Sequence, residues 1–222
     1  MKLNFLSDGL KNWYLRFTQP LVNIFIELEL NPNFFTSIGF VVSIIAAIMF
    51  AKGNLRFAGA LVLLSGTFDI IDGRVARATK RETKFGALYD STLDRYAEVI
   101  MFFGLAYFFI FQAWTGEMNE VVAFIAAVGV NVALGGSVMV SYVRARAEAL
   151  GFNCSVGYMQ RPERIVYIGF SAIFQKYILI LAILLIAVMA NYTAMQRLYH
   201  VWDQERRQKL AQQQSEIESE SV

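Results

Sequence analysis

SGTFDIIDGRVARATKRETKFGALYDSTLD, residues 65–94, holds four aspartates, Asp69, Asp72, Asp90 and Asp94, each pair beside a long apolar run. Lipid accommodates an ionisable side chain only where it faces the protein interior or a watery cavity, so carboxylates inside apolar spans mark a functional site. Asp69 and Asp72 are three residues apart, Asp90 and Asp94 four, and on helices both spacings put a pair on one face. Four carboxylates converging from two helices repel one another strongly in a low dielectric. Two divalent cations remove that repulsion. Hard oxygen ligands suit Mg2+ or Mn2+, and with one cysteine and one histidine the chain has no cluster for zinc. A pair of metals roughly 3.5–4 Å apart is a common clamp for displacement at phosphorus. Gly66, Gly73, Ala76 and Gly86 lie near the aspartate faces and allow close approach of a ligand or a second backbone. Arg77 offers a fork for phosphate, and Lys80, Arg81 and Lys84 make the connecting loop basic.

Around this stretch the chain is apolar. Its 222 residues suit one domain, 56% of them are hydrophobic, and the mean hydropathy is +0.45, which points to a polytopic membrane protein. A net charge of +2 gives no reason to expect nucleic acid. The single cysteine, Cys154, rules out an intramolecular disulfide and reads as a small loop residue. The N-terminus shows no cleavable signal pattern, so the first span is expected to direct insertion.

The expected fold is an all-α membrane protein with six transmembrane helices and an N-terminal amphipathic interfacial helix. Residues 1–30 carry Leu10, Trp13, Tyr14, Phe17, Leu21, Ile24, Phe25 and Leu28 at helical spacing, with Lys11, Arg16 and Asn23 between them. That pattern lies in the membrane interface, and Pro20 is expected to kink or interrupt it. Asn31-Pro32 ends this helix and starts the next. The six spans of the domain, residues 31–202, are read as 34–51, 55–79, 86–114, 121–143, a short run 165–174, and 177–202. Residues 203–222, rich in Gln, Glu, Ser and Arg, read as a polar tail, a helical stub fading into disorder. His200, the only histidine, reads as an interfacial side chain and not a general base.

The second and third spans form an antiparallel hairpin, so the two aspartate pairs meet at one membrane face. The loops after spans one, three and five carry only Lys52, Arg56 and Lys176, and nearly all other basic residues lie on the opposite side. The positive-inside rule therefore puts both termini and the acidic site at the cytoplasmic face of the inner membrane.

Asp69-x2-Asp72-Gly73-x2-Ala76-Arg77-x8-Gly86-x3-Asp90-x3-Asp94 resembles, with no departure, the signature of the CDP-alcohol phosphotransferase family. The resemblance extends over roughly residues 31–202. It implies transfer of a substituted phosphoryl group from a CDP-linked donor to an alcohol, with release of CMP. It implies that Asp69, Asp72, Asp90 and Asp94 hold two divalent cations and that the protein is a homodimer; Asp94, at the motif's end, is read as the base that takes the acceptor hydroxyl proton. It further implies that Pro32, Asn33 and Thr36 line the nucleotide pocket and that Gly73, Arg77, Thr83 and Gly86 meet the CDP-lipid.

The acceptor is read from a second basic cluster. Arg144, Arg146, Arg161, Arg164 and Arg197 fall at the cytoplasmic ends of spans four to six. Positive-inside topology and anionic headgroups account for some of them, yet arginines beside a metal site also suit an anionic second substrate. Residues 141–149, 161–164 and 196–198 are similar to prokaryotic phosphatidylinositol-phosphate synthases within the family, which join inositol 1-phosphate to CDP-diacylglycerol. That likeness implies acceptor phosphate binding by Arg144, Arg161 and Arg197, with Arg164 sharing the task. Arg144 and Gln160 depart from the Lys and Glu usual in the bacterial subgroup, and archaeal relatives with ether-lipid donors also resemble the segment. Glycerol 3-phosphate is the rival acceptor. A cation-coupled transporter is the rival class, disfavoured because the chain shows no internal repeat and its acids lie near one face.

Overall fold

Asn31 and Pro32 begin the first long apolar helix. The Asn31 side chain accepts a hydrogen bond from the Asn33 backbone at 3.0 Å, and Pro32, which has no N–H to leave unpaired, takes the first turn. In the computed structural model this helix is α2, Pro32–Ala51, one of seven helices among the described residues; no strand is present among them. The structure describes residues 8–27 and 31–220, with the side chains of 8, 10–15, 17 and 215–220 excepted. The others are α1 (Asp8–Glu27), α3 (Leu55–Thr79), α4 (Lys84–Trp114), α5 (Glu120–Ala149), α6 (Arg161–Phe174) and α7 (Lys176–Glu220).

Caps explain most boundaries. Thr83 starts α4 by accepting from Gly86 N at 2.9 Å, and Asn119 starts α5 by accepting from Val121 N and Val122 N. α3 stops where Lys80 turns left-handed, with φ of 55°. Pro162 lies in the first turn of α6, which extends that helix four residues ahead of the expected apolar run.

α1 is continuous through Pro20, where an interruption was expected. Tertiary contacts hold it: Thr18 and Val22 are buried, and Val22, Phe25 and Ile26 pack with Phe35, Phe68, Ile71 and Val75 of α2 and α3. Arg74 of α3 donates to the Thr18 hydroxyl at 2.7 Å and also to Gln19. The interfacial positions expected for Leu10, Lys11, Trp13, Tyr14, Phe17 and Leu28 lie outside the described side chains. The C-terminal tail also differs from its reading. α7 continues unbroken to Glu220, and the ion pairs Asp203–Arg207 and Glu205–Lys209, each four residues apart, support the polar extension.

Four helices, α2, α4, α5 and α7, are long and apolar enough to cross a membrane. α3 has the length but carries Asp69, Asp72, Arg74 and Arg77. α6 has 14 residues, about 21 Å at 1.5 Å each, short of a hydrocarbon core of about 30 Å. Large apolar side chains cover the outside, among them Phe103, Tyr107 and Trp114 of α4, Phe124 of α5 and Leu181 and Val188 of α7. Alanine and glycine recur inside, which is how helices approach closely when lipid, not water, surrounds them.

α2 packs against both α3 and α4, α3 against α6, α4 against α5, and α7 closes the bundle against α5 and α6. The α3–α6 crossing requires glycine: a Cβ on Gly59 would lie 2.5 Å from the Gly169 carbonyl oxygen and 3.1 Å from the Ala172 side chain. Gly59→Ala is expected to destabilise the fold by about 1–3 kcal/mol, the usual cost of overpacking, read as a lower thermal midpoint in detergent.

Candidate active site

The start of α2, the end of α3, the start of α4 and the start of α6 all reach the same end of the bundle, and their polar side chains meet there. Asp69 and Asp72 come from the second half of α3, Asp90 and Asp94 from the second and third turns of α4. Asp69, Asp72 and Asp90 each present an oxygen within 4.8 Å of the others, and Asp72 is buried. The fourth acid stands differently. Asp94 Oδ1 accepts from Arg161 Nη2 at 2.7 Å, and its other oxygen lies 3.8 Å from Arg95. Arg161 spans two helices, since its Nη1 donates to Asp69 Oδ2 at 2.7 Å. Its guanidinium therefore bridges the acids of α3 and α4.

The three-acid group fits a divalent cation. Its donors are hard carboxylate oxygens, with no Cys or His among them. Asp90 Oδ1 is buried without a hydrogen-bond partner, and a buried carboxylate oxygen left unpaired is expensive. Thr36 prepares the group from α2: its hydroxyl donates to Asp72 Oδ2 at 2.7 Å and fixes that carboxylate. Partners of this kind orient metal ligands, so Thr36→Val is expected to weaken Mn2+ binding by about 10–100-fold, measured by titration of the purified protein.

Below the acids a cavity is lined by Thr36, Gly39, Ser43, Ser65, Asp94 and Arg161 among others. The Ser43 and Ser65 hydroxyls lie 2.6 Å apart and each is 3.0 Å from the Gly39 carbonyl oxygen, so one donates to the other and the other to that carbonyl. A second hollow behind it shares Ser43, Ser65, Ala97 and Arg161 and reaches Glu98.

The residues expected to meet the CDP-lipid stand at the starts of α2 and α4, in the cap before α4 and late in α3. Asn33, Thr83 and Gly86 converge: a Cβ on Gly86 would lie 2.9 Å from Thr83 Oγ1 and 3.3 Å from Asn33 Oδ1. Thr83 uses its hydroxyl as the α4 cap. Pro32 is buried in the first turn of α2, and its carbonyl is 3.4 Å from Thr36 Oγ1. Exposed Arg77 folds back over Gly73, where a Cβ would stand 3.4 Å from its Nη1.

The arginines expected to bind the acceptor phosphate divide. Arg161 alone among them is bonded to the acids. Arg197 is buried and donates to the Val140 carbonyl at 2.5 Å and the Val156 carbonyl at 2.8 Å. Arg144 is exposed and paired with Glu148 at 2.8 Å. Cys154 is fully buried between α5 and α6. Burial pushes its thiol up, against a smaller pull from Arg197, and Glu148 and Arg144 also act on it. Arg164 has a different place from the one expected. It is 0% exposed, and all three of its side-chain nitrogens are engaged inside the protein: Nε and Nη2 on Glu98 at 2.6 and 2.9 Å, Nη1 on the Met159 carbonyl at 2.9 Å. A charge this deep needs partners, and with its fork on Glu98 and no exposed surface Arg164 presents no face to an acceptor arriving from solvent.

Glu98 was not singled out from the sequence. Its signal was present: it stands four residues after Asp94 in an apolar run, the third step of the Asp90–Asp94 ladder. The Tyr89 hydroxyl, 2.9 Å from Ser37 Oγ, had no such signal.

The CDP-alcohol phosphatidyltransferase family model matches residues 29–203. The chain is similar to the archaetidylinositol phosphate synthase of Methanothermobacter thermautotrophicus, 35% identical over 191 residues that cover 84% of this chain and 89% of that protein. Its fold is similar to crystal structures of the phosphatidylinositol phosphate synthase of Mycobacterium tuberculosis. With CDP-DAG bound, the TM-score is 0.73 at 29% identity, covering 84% of this chain and 94% of that one. In complex with manganese and citrate it is 0.74 at 30% identity, covering 83% and 88%.

Proposed function

Because the chain belongs to the CDP-alcohol phosphatidyltransferase family, we propose that it is a multi-pass membrane enzyme that transfers the phosphatidyl group of CDP-diacylglycerol to inositol 1-phosphate and releases CMP. The observation that carries this reading is the meeting of Asp69, Asp72 and Asp90 with the Arg161–Asp94 pair at one end of an apolar bundle. The acids are a seat for hard cations. The arginine beside them suits an acceptor that is itself a phosphate.

Asp69, Asp72 and Asp90 hold divalent cation, Mg2+ or Mn2+, with Asp94 completing a two-ion site. A cation held by these carboxylates would supply positive charge to offset that of the pyrophosphate and of the leaving CMP. The chain's own residues do the rest. Thr36 holds Asp72 in place. The convergence of Pro32, Asn33, Thr83 and Gly86, with Gly73 and Arg77 opposite, receives the CDP part, and the bare glycine backbone lets it come close. Asp94 takes the proton of the acceptor hydroxyl. That oxygen forms a bond to the lipid-side phosphorus as the bond from phosphorus to the bridging oxygen breaks, and CMP leaves with the bridging oxygen. Arg161, Arg144 and Arg197 draw the acceptor phosphate to the site, and Arg161 does so nearest the acids.

Six helices, α2 to α7, then form the membrane domain, with α1 in the interface and the α7 extension outside it. The basic residues at the site's end put it at the cytoplasmic face of the inner membrane, together with both termini. The working unit is a homodimer.

The test is CMP release by purified protein from CDP-diacylglycerol with Mg2+, given inositol 1-phosphate, glycerol 3-phosphate, free inositol and serine in parallel. Turnover with inositol 1-phosphate alone is expected. Turnover with glycerol 3-phosphate instead keeps the chemistry and overturns the acceptor. A second donor has specific support, because the archaeal relative is named for an archaetidyl product and is 35% identical to this chain. Running the assay with an ether-lipid donor decides between the two tails.

A further inference from the structure

Two ion pairs are stacked one helical turn apart between α4 and α6. Asp94 and Glu98 are four residues apart on α4, Arg161 and Arg164 three apart on α6, so each set shares a helix face. The outer pair, Asp94–Arg161, belongs to the site. The inner pair, Glu98–Arg164, is a two-pronged fork sealed from solvent: Glu98 is 6% exposed and Arg164 0%. A fork of this kind fixes two directions at once, which a point charge does not.

The inner pair also reaches further than the outer one. Arg164 Nη1 donates to the Met159 carbonyl, and Met159 N donates to Thr193 Oγ1 of α7 at 3.1 Å. The neighbouring backbone lies flat on α7, where a Cβ on Gly157 would stand 2.5 Å from Thr193 Cγ2. One turn later on α7, Arg197 donates to the Val156 carbonyl. An unbroken line of polar contacts thus runs from the helix that carries the acids, through Arg164, to the segment and helix that carry Arg197. Nothing about Glu98 or Arg164 touches the acidic group directly; they act through what they hold.

We infer that Glu98 and Arg164 are positioning residues: their buried fork sets the register of α6 against α4 so that Arg161 lies between Asp69 and Asp94 and the acceptor-binding arginines face the reacting end. This rests on the reading of Arg161 as an acceptor ligand. It predicts a loss specific to the acceptor. The donor rim is built from α2, α3 and the start of α4, and it makes no use of the fork.

The experiment is a double-mutant cycle on the full-length protein in detergent. Glu98→Asp keeps the charge but shortens the arm, so the bundle retains its ion pair while the fork shifts. Its kcat/KM for the acceptor is expected to fall by about 10²-fold, the loss that a misplacement of about 1 Å produces. CDP-diacylglycerol affinity stays at the wild-type level, and Mn2+ affinity, whose ligands Asp69 and Asp94 are bonded to Arg161, falls far less than the acceptor kcat/KM. Arg164→Lys, which removes the fork, gives the same pattern. Combined with Arg161→Lys, Glu98→Asp adds no more than about twofold, because residues acting through one contact are not additive. If Arg161→Lys alone has no measurable turnover, the same cycle is read from titrations of acceptor binding. Losses that multiply overturn the inference, as does a fall in donor and metal binding parallel to that of turnover, since either marks a general structural role. An unaltered Glu98→Asp overturns it as well. Wild-type protein in the same assay separates the two readings: turnover with a different acceptor sinks the acceptor assignment, and the cycle is then judged on the acceptor that is used.

Discussion

Asp94→Asn is expected to lower the rate of CMP release by about 10³-fold, inside the 10²–10⁴ range that a positioned base contributes, while binding of the CDP-lipid is unchanged. The structure separates Asp94 from its three companions. Their oxygens cluster within 4.8 Å, whereas Asp94 is held by Arg161 at 2.7 Å. Asparagine has nearly the same shape and still offers Arg161 a carbonyl oxygen, so the guanidinium keeps a partner. What it lacks is the capacity to take a proton. The measurement is single-turnover CMP release set beside a titration with CDP-diacylglycerol and another with Mn2+. A fall in metal and donor binding that matches the fall in rate would make Asp94 a ligand and nothing more.

Asp90→Ala acts on the metal itself and is expected to bring turnover to background. Asp90 is the one member of the three-acid group supplied by α4, so it closes the group across the two helices. Its Oδ1 is buried and unpaired. Removing it leaves the two carboxylates of α3 facing only Asp94, whose Oδ1 is already bonded to Arg161. The loss of Mn2+ affinity is expected to exceed the roughly 10–100-fold that follows loss of an outer partner of a metal ligand, and raising the metal concentration should restore little. Undiminished Mn2+ binding in this variant would move the cation away from the three-acid group. The two variants therefore read differently: Asp90→Ala loses metal and turnover together, Asp94→Asn loses turnover first.

The helices were legible because their signals are local. Apolar length marks α2, α4, α5 and α7. The limits of α3 coincide with those expected, Leu55 to Thr79, since a Gly-Asn turn precedes it and a basic loop follows. The tail was misread. A composition poor in apolar residues argues against a packed helix, but α7 already supplies a nucleated helical end, and adding residues to an existing helix is far easier than starting one. Of the kink or interruption expected at Pro20 the interruption does not occur, and the helix runs on with Thr18 and Val22 buried on either side.

Within the site, the aspartates declared themselves. An ionisable group in an apolar run is costly wherever it stands, and spacings of three and four place each pair on one face. The arginines did not, although they are equally conspicuous in the sequence. Arg161 and Arg164 are three residues apart, yet one lies among the catalytic acids and the other is locked to Glu98 at 0% exposure. Sequence alone determined the helical bundle, the end of it where the acids gather and the class of chemistry, because each depends on residue type and on periodicity along one helix. Which arginine meets which carboxylate was decided only by the tertiary structure. That pairing depends on the rotation of α6 about its axis and on how residues 150–160 fold onto α7, and both are set by contacts between residues far apart in the chain, such as Arg161 with Asp69 and Met159 with Thr193.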